Sequence, residues 1–217
     1  MSDLLTQCTL CPRSCKADRT ITTGFCGCSD KIKIALASLH FWEEPCISGT
    51  NGSGTIFFSG CQLKCCFCQN YKISAQNFGK EISEERLSEI FLELQEKNAH
   101  NINLVSPTPY IPFIINALDR VKGRLKIPVV FNSGGYEKVQ TLKMLEGYVD
   151  VYLPDLKYMD SNMSKKYSSA EDYFEVAAQA IKEMFRQTGK ISFDDNGIIK
   201  KGVVIRHLVL PSGRKDS

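Results

Sequence analysis

From about residue 53 onward, short apolar runs alternate with stretches whose apolar residues recur every three or four positions. Thr55-Ile56-Phe57-Phe58, flanked by Gly54 and Gly60, reads as a buried strand. Ser83 is placed to cap a helix with Glu84 and Glu85 in its first turn. Leu87, Ile90, Phe91 and Leu94 form the apolar stripe behind it. Ile102-Asn103-Leu104-Val105 is a second strand. The helix after it starts near Pro112, carries Ile111, Ile114, Ile115, Leu118 and Val121, and stops at Gly123. Ile127–Phe131 is a third strand, Glu137–Glu146 a short helix, and Val149–Leu153 a fourth strand. A helix capped by Ser169 then buries Tyr173, Val176, Ala177, Ala180, Ile181 and Met184. After the turn signal Asp195-Asn196-Gly197, Val203–Val209 reads as a fifth strand.

Strands separated by amphipathic helices require right-handed crossovers and a parallel sheet. Most of these strands are apolar on both faces, as a covered parallel sheet demands. The expected fold is therefore α/β, a partial (β/α) barrel over 51–217, with 1–50 as a separate N-terminal leader. Chemistry in such a fold sits at the C-terminal ends of the strands. That directs attention to the loops 59–70, 106–112, 132–137, 154–158 and 210 onward, the last containing Pro211-Ser212.

Composition adds one unusual number. Ten cysteines occur in 217 residues, and all lie within the first 68: Cys8, Cys11, Cys15, Cys26, Cys28, Cys46, Cys61, Cys65, Cys66 and Cys68. A disulfide scaffold would spread its cysteines along a short secreted chain. The first residues carry no basic region followed by an apolar one, as a secretory signal would. No window approaches the roughly 18 apolar residues of a membrane helix. The expectation is a reducing cytoplasm, no membrane, and clustered thiolates holding metal. A formal net charge of +3 is too mild to announce a nucleic-acid partner.

The densest metal-ligand sequence, Cys61-Gln62-Leu63-Lys64-Cys65-Cys66-Phe67-Cys68, falls in the loop after the first barrel strand. Its spacing lets Cys61, Cys65 and Cys68 converge on one centre while Cys66 points elsewhere. Thiolates select zinc, copper(I) or iron–sulfur clusters. Structural zinc wants four closed ligands, whereas three cysteines on a four-iron cluster leave one iron open.

Cys61-x3-Cys65-x-Phe67-Cys68 resembles the signature of the radical S-adenosylmethionine (SAM) enzymes. Gly52 to Tyr71 is similar to the branch related to pyruvate formate-lyase activating enzymes, and the similarity extends over about three quarters of the chain. The leader Cys8-Thr9-Leu10-Cys11-Pro12-Arg13-Ser14-Cys15 resembles that of an uncharacterised subgroup of the branch. The resemblance implies a [4Fe–4S] cluster on Cys61, Cys65 and Cys68, with SAM on the open iron. Reductive cleavage of SAM would then give a 5′-deoxyadenosyl radical that abstracts hydrogen. It implies Phe67 against the adenine, Asn132 and Arg206 near SAM, and Asp155 and Lys157 of Asp155-Leu156-Lys157 as catalytic residues. The implied partners are a glycyl-radical enzyme or a small-molecule substrate, and an electron donor such as flavodoxin or ferredoxin.

Two departures stand out. The family's Gly-Gly-Glu motif is replaced after the second strand by Ser106-Pro107-Thr108, leaving the Ser106 and Thr108 hydroxyls as substitutes. Gly134-Gly135-Tyr136-Glu137 looks like that motif but follows the third strand. The chain also ends before a sixth strand, so the fifth is expected as an unpaired edge, in a barrel that is either unusually open or truncated. Truncation is the expectation.

Cys8, Cys11, Cys15 and Cys26 (or Cys28) have the spacing for a second metal or cluster. His40–Cys46 reads as a packed connection, and His100 and His207 as structural and away from the barrel mouth. Competing readings of the whole are a non-catalytic zinc or iron–sulfur module and a truncated, inactive relative of the radical SAM enzymes.

Overall fold

In the computed structural model, which describes residues 3–210, the chain enters through a single turn, α1 (Asp3–Thr6), and a coiled leader to β1 (Ile32–His40). A second turn, α2 (Pro45–Ser48), precedes β2 (Ser53–Phe58), the first expected strand. There follow α3 (Tyr71–Ser74), β3 (Lys80–Ile82), α4 (Glu84–Glu96), β4 (Ile102–Val105), α5 (Ile111–Arg120), β5 (Val129–Ser133), α6 (Val139–Lys143), β6 (Val151–Pro154), α7 (Ser161–Ser168), α8 (Tyr173–Thr188), β7 (Ser192–Phe193) and β8 (Ile199–Val203). One eight-stranded sheet runs in the order β3-β1-β2-β4-β5-β6-β8-β7. Its central run from β2 to β8 is parallel, while β1, β3 and β7 pair antiparallel at the edges. This is an open, partial β/α barrel.

The apolar stripes fold as their periodicity dictates. Ser83 caps α4 by accepting from the Arg86 N–H, and Leu87, Ile90, Phe91 and Leu94 are buried. They pack with Ile111, Ile114 and Leu118 of α5 and Ala180 and Met184 of α8 against Ile56, Phe58, Leu104, Phe131 and Tyr152. The inner face holds a smaller cluster of Val130, Val151, Leu153 and Ile199, plugged by Ile47 of α2. At the leader's end, Cys26, Cys28, Ile32 and Ile34 belong to the outer core. No helix among the described residues is long and apolar enough to cross a membrane.

Several expectations need correction. The fifth strand is Ile199–Val203, not Val203–Val209. The Asp195-Asn196-Gly197 turn closes a β7–β8 hairpin, so pairing starts directly after it. Outward-facing Lys200 and Lys201 disguise that strand in the sequence, and Ile205, Leu208 and Val209 are about half exposed. β7 covers the outer side of β8, so that strand is not an unpaired edge. Ser169 does not cap α8; it is the left-handed residue (φ 54°) that ends α7, and α8 begins after Asp172. The segment 40–46 is not a packed connection throughout, because Trp42 is 89% exposed. Pro211 and Ser212 lie outside the described residues.

Candidate functional site

The three-cysteine loop leaves β2 through Gly60, whose φ of 82° favours glycine. A Cβ there would collide with Cys28 Sγ and the Cys26 carbonyl, so the leader sits directly against the loop's first turn. The end of α7 holds the loop from the other side. Cys66 N–H donates to Tyr167 O (2.9 Å) and Lys64 N–H to Ser168 O (3.4 Å). Arg13 of the leader donates to Gln62 O (3.0 Å) and to the Ser168 and Ser169 carbonyls, joining both sides.

Cys61, Cys65 and Cys68 influence one another electrostatically, whereas Cys66 is exposed. Burial pushes the Cys61 thiol up to about 12, against a Leu63 N–H at 3.5 Å that favours the thiolate. Cys65 is also raised by burial, opposed by the Ser168 hydroxyl 2.9 Å from its sulfur and by Lys157. Cys68 Sγ and Ser74 Oγ are 3.2 Å apart. Unmetallated, the Cys61 and Cys65 thiols resist ionisation; a cation would reverse that logic. Among the described residues, no three His, Cys, Asp or Glu are grouped closely enough to hold a metal ion in this arrangement.

Beside the loop lies a polar network inside the barrel. Arg206, beyond β8, bridges to Asp155 and sits at its centre. Its Nε donates to Asp155 Oδ1 (2.9 Å), its Nη2 to Asn132 Oδ1 (2.6 Å) and its Nη1 to Glu43 Oε2 (3.3 Å). Lys157 Nζ pairs with Asp155 Oδ2 (2.5 Å), and Glu44 approaches Arg206 at 3.8 Å. Asn132, Asp155, Lys157 and Arg206 are thus brought together, and Lys157 and Asp155 act electrostatically on Cys65. Glu43 is raised mainly by burial, which Arg206 opposes. Phe67 meets the Tyr158 ring edge-on. His207 is not remote from the mouth: its Nδ1 lies 2.5 Å from Leu156 O.

Ser106 and Thr108 do not join that network. Ser106 adopts φ 55° and donates its N–H to Asn132 O (2.9 Å). Thr108 is buried and gives its hydroxyl to Glu137 Oε2 (2.8 Å), while Gln62 Nε2 donates to Glu137 Oε1 (2.8 Å). Desolvation pushes Glu137 up to about 7, and the hydrogen bonds from Thr108, Ser133 and Gln62 restrain the rise. Gly135 (φ 78°) has no room for a Cβ, which would strike the Asp155 carbonyl. The Tyr173 hydroxyl donates toward Gly134 O and Asp155 O (2.8 and 2.9 Å) and accepts from Lys157 N–H (3.0 Å). Two mouth loops are therefore pinned by a helix residue that the periodicity marks only as core.

Sequence reasoning missed Glu43, Glu44, Gln62, Asn103, Glu137 and Tyr173. Glu43, Glu44 and Asp155 gather around Arg206. Asn103 had a signal, a polar residue inside an apolar strand. It is wholly buried with neither amide atom hydrogen-bonded, although the Glu43 carboxyl is near enough to feel it. Glu43 and Glu44 had none beyond their charge.

The open α/β barrel thus carries three soft donors at its C-terminal mouth, next to a part-buried set of charged and amide groups. The profile of the Radical SAM superfamily matches residues 55–199, and the chain belongs to that superfamily. It is also 32% identical over 222 residues to the uncharacterized protein MJ0674 of Methanocaldococcus jannaschii, an alignment covering 97% of this chain and 59% of that protein. The chain thus spans well under two thirds of that relative's length. Membership implies a [4Fe–4S] cluster and SAM. The residues suit the cluster by their chemistry: three thiols share one loop, two of them beside serine hydroxyls, and thiolate ligation with hydrogen bonds to sulfur is the chemistry such clusters use.

Proposed function

We propose that this chain is a radical SAM oxidoreductase whose substrate is a backbone glycine of a partner enzyme, as in the activases of glycyl-radical enzymes. When bound, the cluster and SAM supply a 5′-deoxyadenosyl radical that removes a hydrogen atom from the substrate. Cys61, Cys65 and Cys68 hold the cluster in this reading. Asn132 and Arg206 orient SAM, and Asp155 with Lys157 hold the charge balance between cofactor and substrate. The Ser106 and Thr108 hydroxyls are secondary contacts, because Thr108 already serves Glu137. The electron comes from a small carrier of the flavodoxin or ferredoxin type. The leader thiols Cys8, Cys11, Cys15 and Cys26 take a second metal, and the setting is cytoplasmic.

The observation that supports this reading best is the electrostatic influence of the paired Asp155 and Lys157 on Cys65, which links candidate catalytic groups to a candidate cluster ligand. The test is anaerobic reconstitution and reduction, followed by electron paramagnetic resonance with and without SAM. A reduced [4Fe–4S] signal that SAM shifts, with 5′-deoxyadenosine formed, supports the enzyme. A signal indifferent to SAM, and no 5′-deoxyadenosine, overturns it. A glycyl radical raised in an added glycyl-radical enzyme would identify the substrate class, and its absence alongside SAM cleavage would sink only that part.

A further inference from the structure

Cys65 and Cys68 meet different surroundings. Cys65 lies 2.9 Å from Ser168 Oγ and under the influence of Lys157 and Asp155, towards the polar network of the barrel. Cys68 lies 3.2 Å from Ser74 Oγ, in the turn α3 that follows the loop. That turn and the strand of chain after it form a thin cover fastened by hydrogen bonds. Gly60 N–H donates to Ile73 O (2.9 Å), Phe78 N–H to Lys72 O (2.9 Å) and the Ser59 hydroxyl to Phe78 O (2.6 Å). The outer side of the cover is open to solvent, with Tyr71 51% and Phe78 65% exposed and Lys72 exposed as well.

The charge on this side is of one sign. From Pro45 to Lys80 the chain has no aspartate or glutamate, while Lys64, Lys72 and Lys80 fall within that stretch. Lys166 of α7 stands at the loop's other flank, over the ring of Tyr167, whose carbonyl accepts from Cys66 N–H. None of these four lysines forms an ion pair among the described residues, whereas Lys165 and Lys200 are held by Glu171 and Asp194. Unpaired cations around exposed aromatic rings complement an acidic surface, attract it over a distance and give it an apolar contact.

We infer that this face is where an acidic one-electron carrier docks, with Lys72 and Lys80 as its anchoring cations and Tyr71 and Phe78 as its apolar contact. The inference rests on the radical SAM reading, which requires an electron, and adds the surface through which that electron enters. One electron leaves the reduced carrier and enters the cluster held by Cys61, Cys65 and Cys68; no bond forms or breaks and no proton moves. Electron transfer falls steeply with distance, and the cover over Cys68 is one turn of chain with Ser74 in contact with the sulfur. Substrate keeps the Cys65 side, beside Asp155 and Lys157, so carrier and substrate occupy different faces. Redox encounters are small, below about 1,200 Å² of buried surface, which a patch of this size can supply.

The test uses the full chain, reconstituted without oxygen, with an acidic flavodoxin as the probe. Calorimetry measures its binding, and stopped-flow absorbance measures cluster reduction by the reduced flavodoxin and, separately, by dithionite. Lys72→Glu/Lys80→Glu is expected to weaken flavodoxin binding and to slow its electron transfer at least about tenfold at low salt, with the difference shrinking at high salt. Dithionite, which needs no docking face, should reduce wild type and variant at the same rate. Lys122→Glu/Lys143→Glu, the same charge change on α5's far end and α6, should leave flavodoxin binding within about twofold of wild type. Unchanged binding in the Lys72/Lys80 variant, an equal loss in the Lys122/Lys143 variant, or slowing by dithionite as well would overturn the inference. So would a loss of affinity for an added glycyl-radical enzyme in place of flavodoxin, which would assign the face to substrate. A lysine-dependent reduction by flavodoxin with no SAM-induced resonance shift would strike the radical SAM reading and leave the docking face standing.

Discussion

Glu137 illustrates how one residue couples stability to pH. Its carboxyl has an ordinary value of 4.5 but sits near 7 when folded, raised by desolvation beside the Cys61 and Cys11 thiols. The folded state therefore binds the proton more tightly than the unfolded one, so stability falls as pH rises from about 4.5 through 7 and is lowest above that window. At about 1.4 kcal/mol per pH unit, the loss is on the order of 3 kcal/mol. Denaturant unfolding between pH 5 and 8 should show this decline in wild type and a flatter profile in Glu137→Gln; equal slopes would refute the assignment. Gly135→Ala is a second residue-level test, because its methyl would strike the Asp155 carbonyl at a positive φ. It should cost upwards of about 1–3 kcal/mol and disturb the Asp155–Lys157 pair. A Gly135→Ala protein with unchanged thermal stability would show that the close approach carries no such constraint.

At the scale of elements, the strongest local signals carry through. Ser83 caps α4, so Ser83→Ala should destabilise by about 1 kcal/mol in calorimetry. The hairpin turn at 195–197 places β8 four residues earlier than its apolar content suggests, because hydrogen-bonded pairing wins over side-chain hydrophobicity at a sheet edge. That shift takes Arg206 out of the strand and across the barrel to Glu43, Asn132 and Asp155. Removing it takes away the cation that Glu43, Glu44 and Asp155 share and leaves only Lys157 paired with Asp155. Arg206→Met should therefore lower stability by about 1–3 kcal/mol, less than a wholly buried pair because the side chain is 29% exposed. The same variant should weaken the SAM-induced resonance shift, and an unaltered shift would remove Arg206 from the cofactor site.

At the scale of the molecule, the leader and the barrel mouth share one set of contacts. Arg13 reaches Gln62 and the end of α7 while lying over the rings of Phe25 and Tyr136. Arg13→Ala should raise amide hydrogen exchange in both 8–30 and 61–68, and exchange raised in only one of them would show that the two segments move independently. The sequence by itself determined the parallel α/β order, the helix stripes and the three-cysteine loop. These depend on periodicity and spacing within a few turns of chain, which local sterics and burial enforce. It carried no sign that Glu43 from the segment after β1 would meet Arg206 from beyond β8, or that Thr108 and Gln62 would converge on Glu137. Those meetings span up to 163 positions along the chain. Curvature of the open sheet brought them about, since a partial barrel gathers loop ends that no local pattern relates.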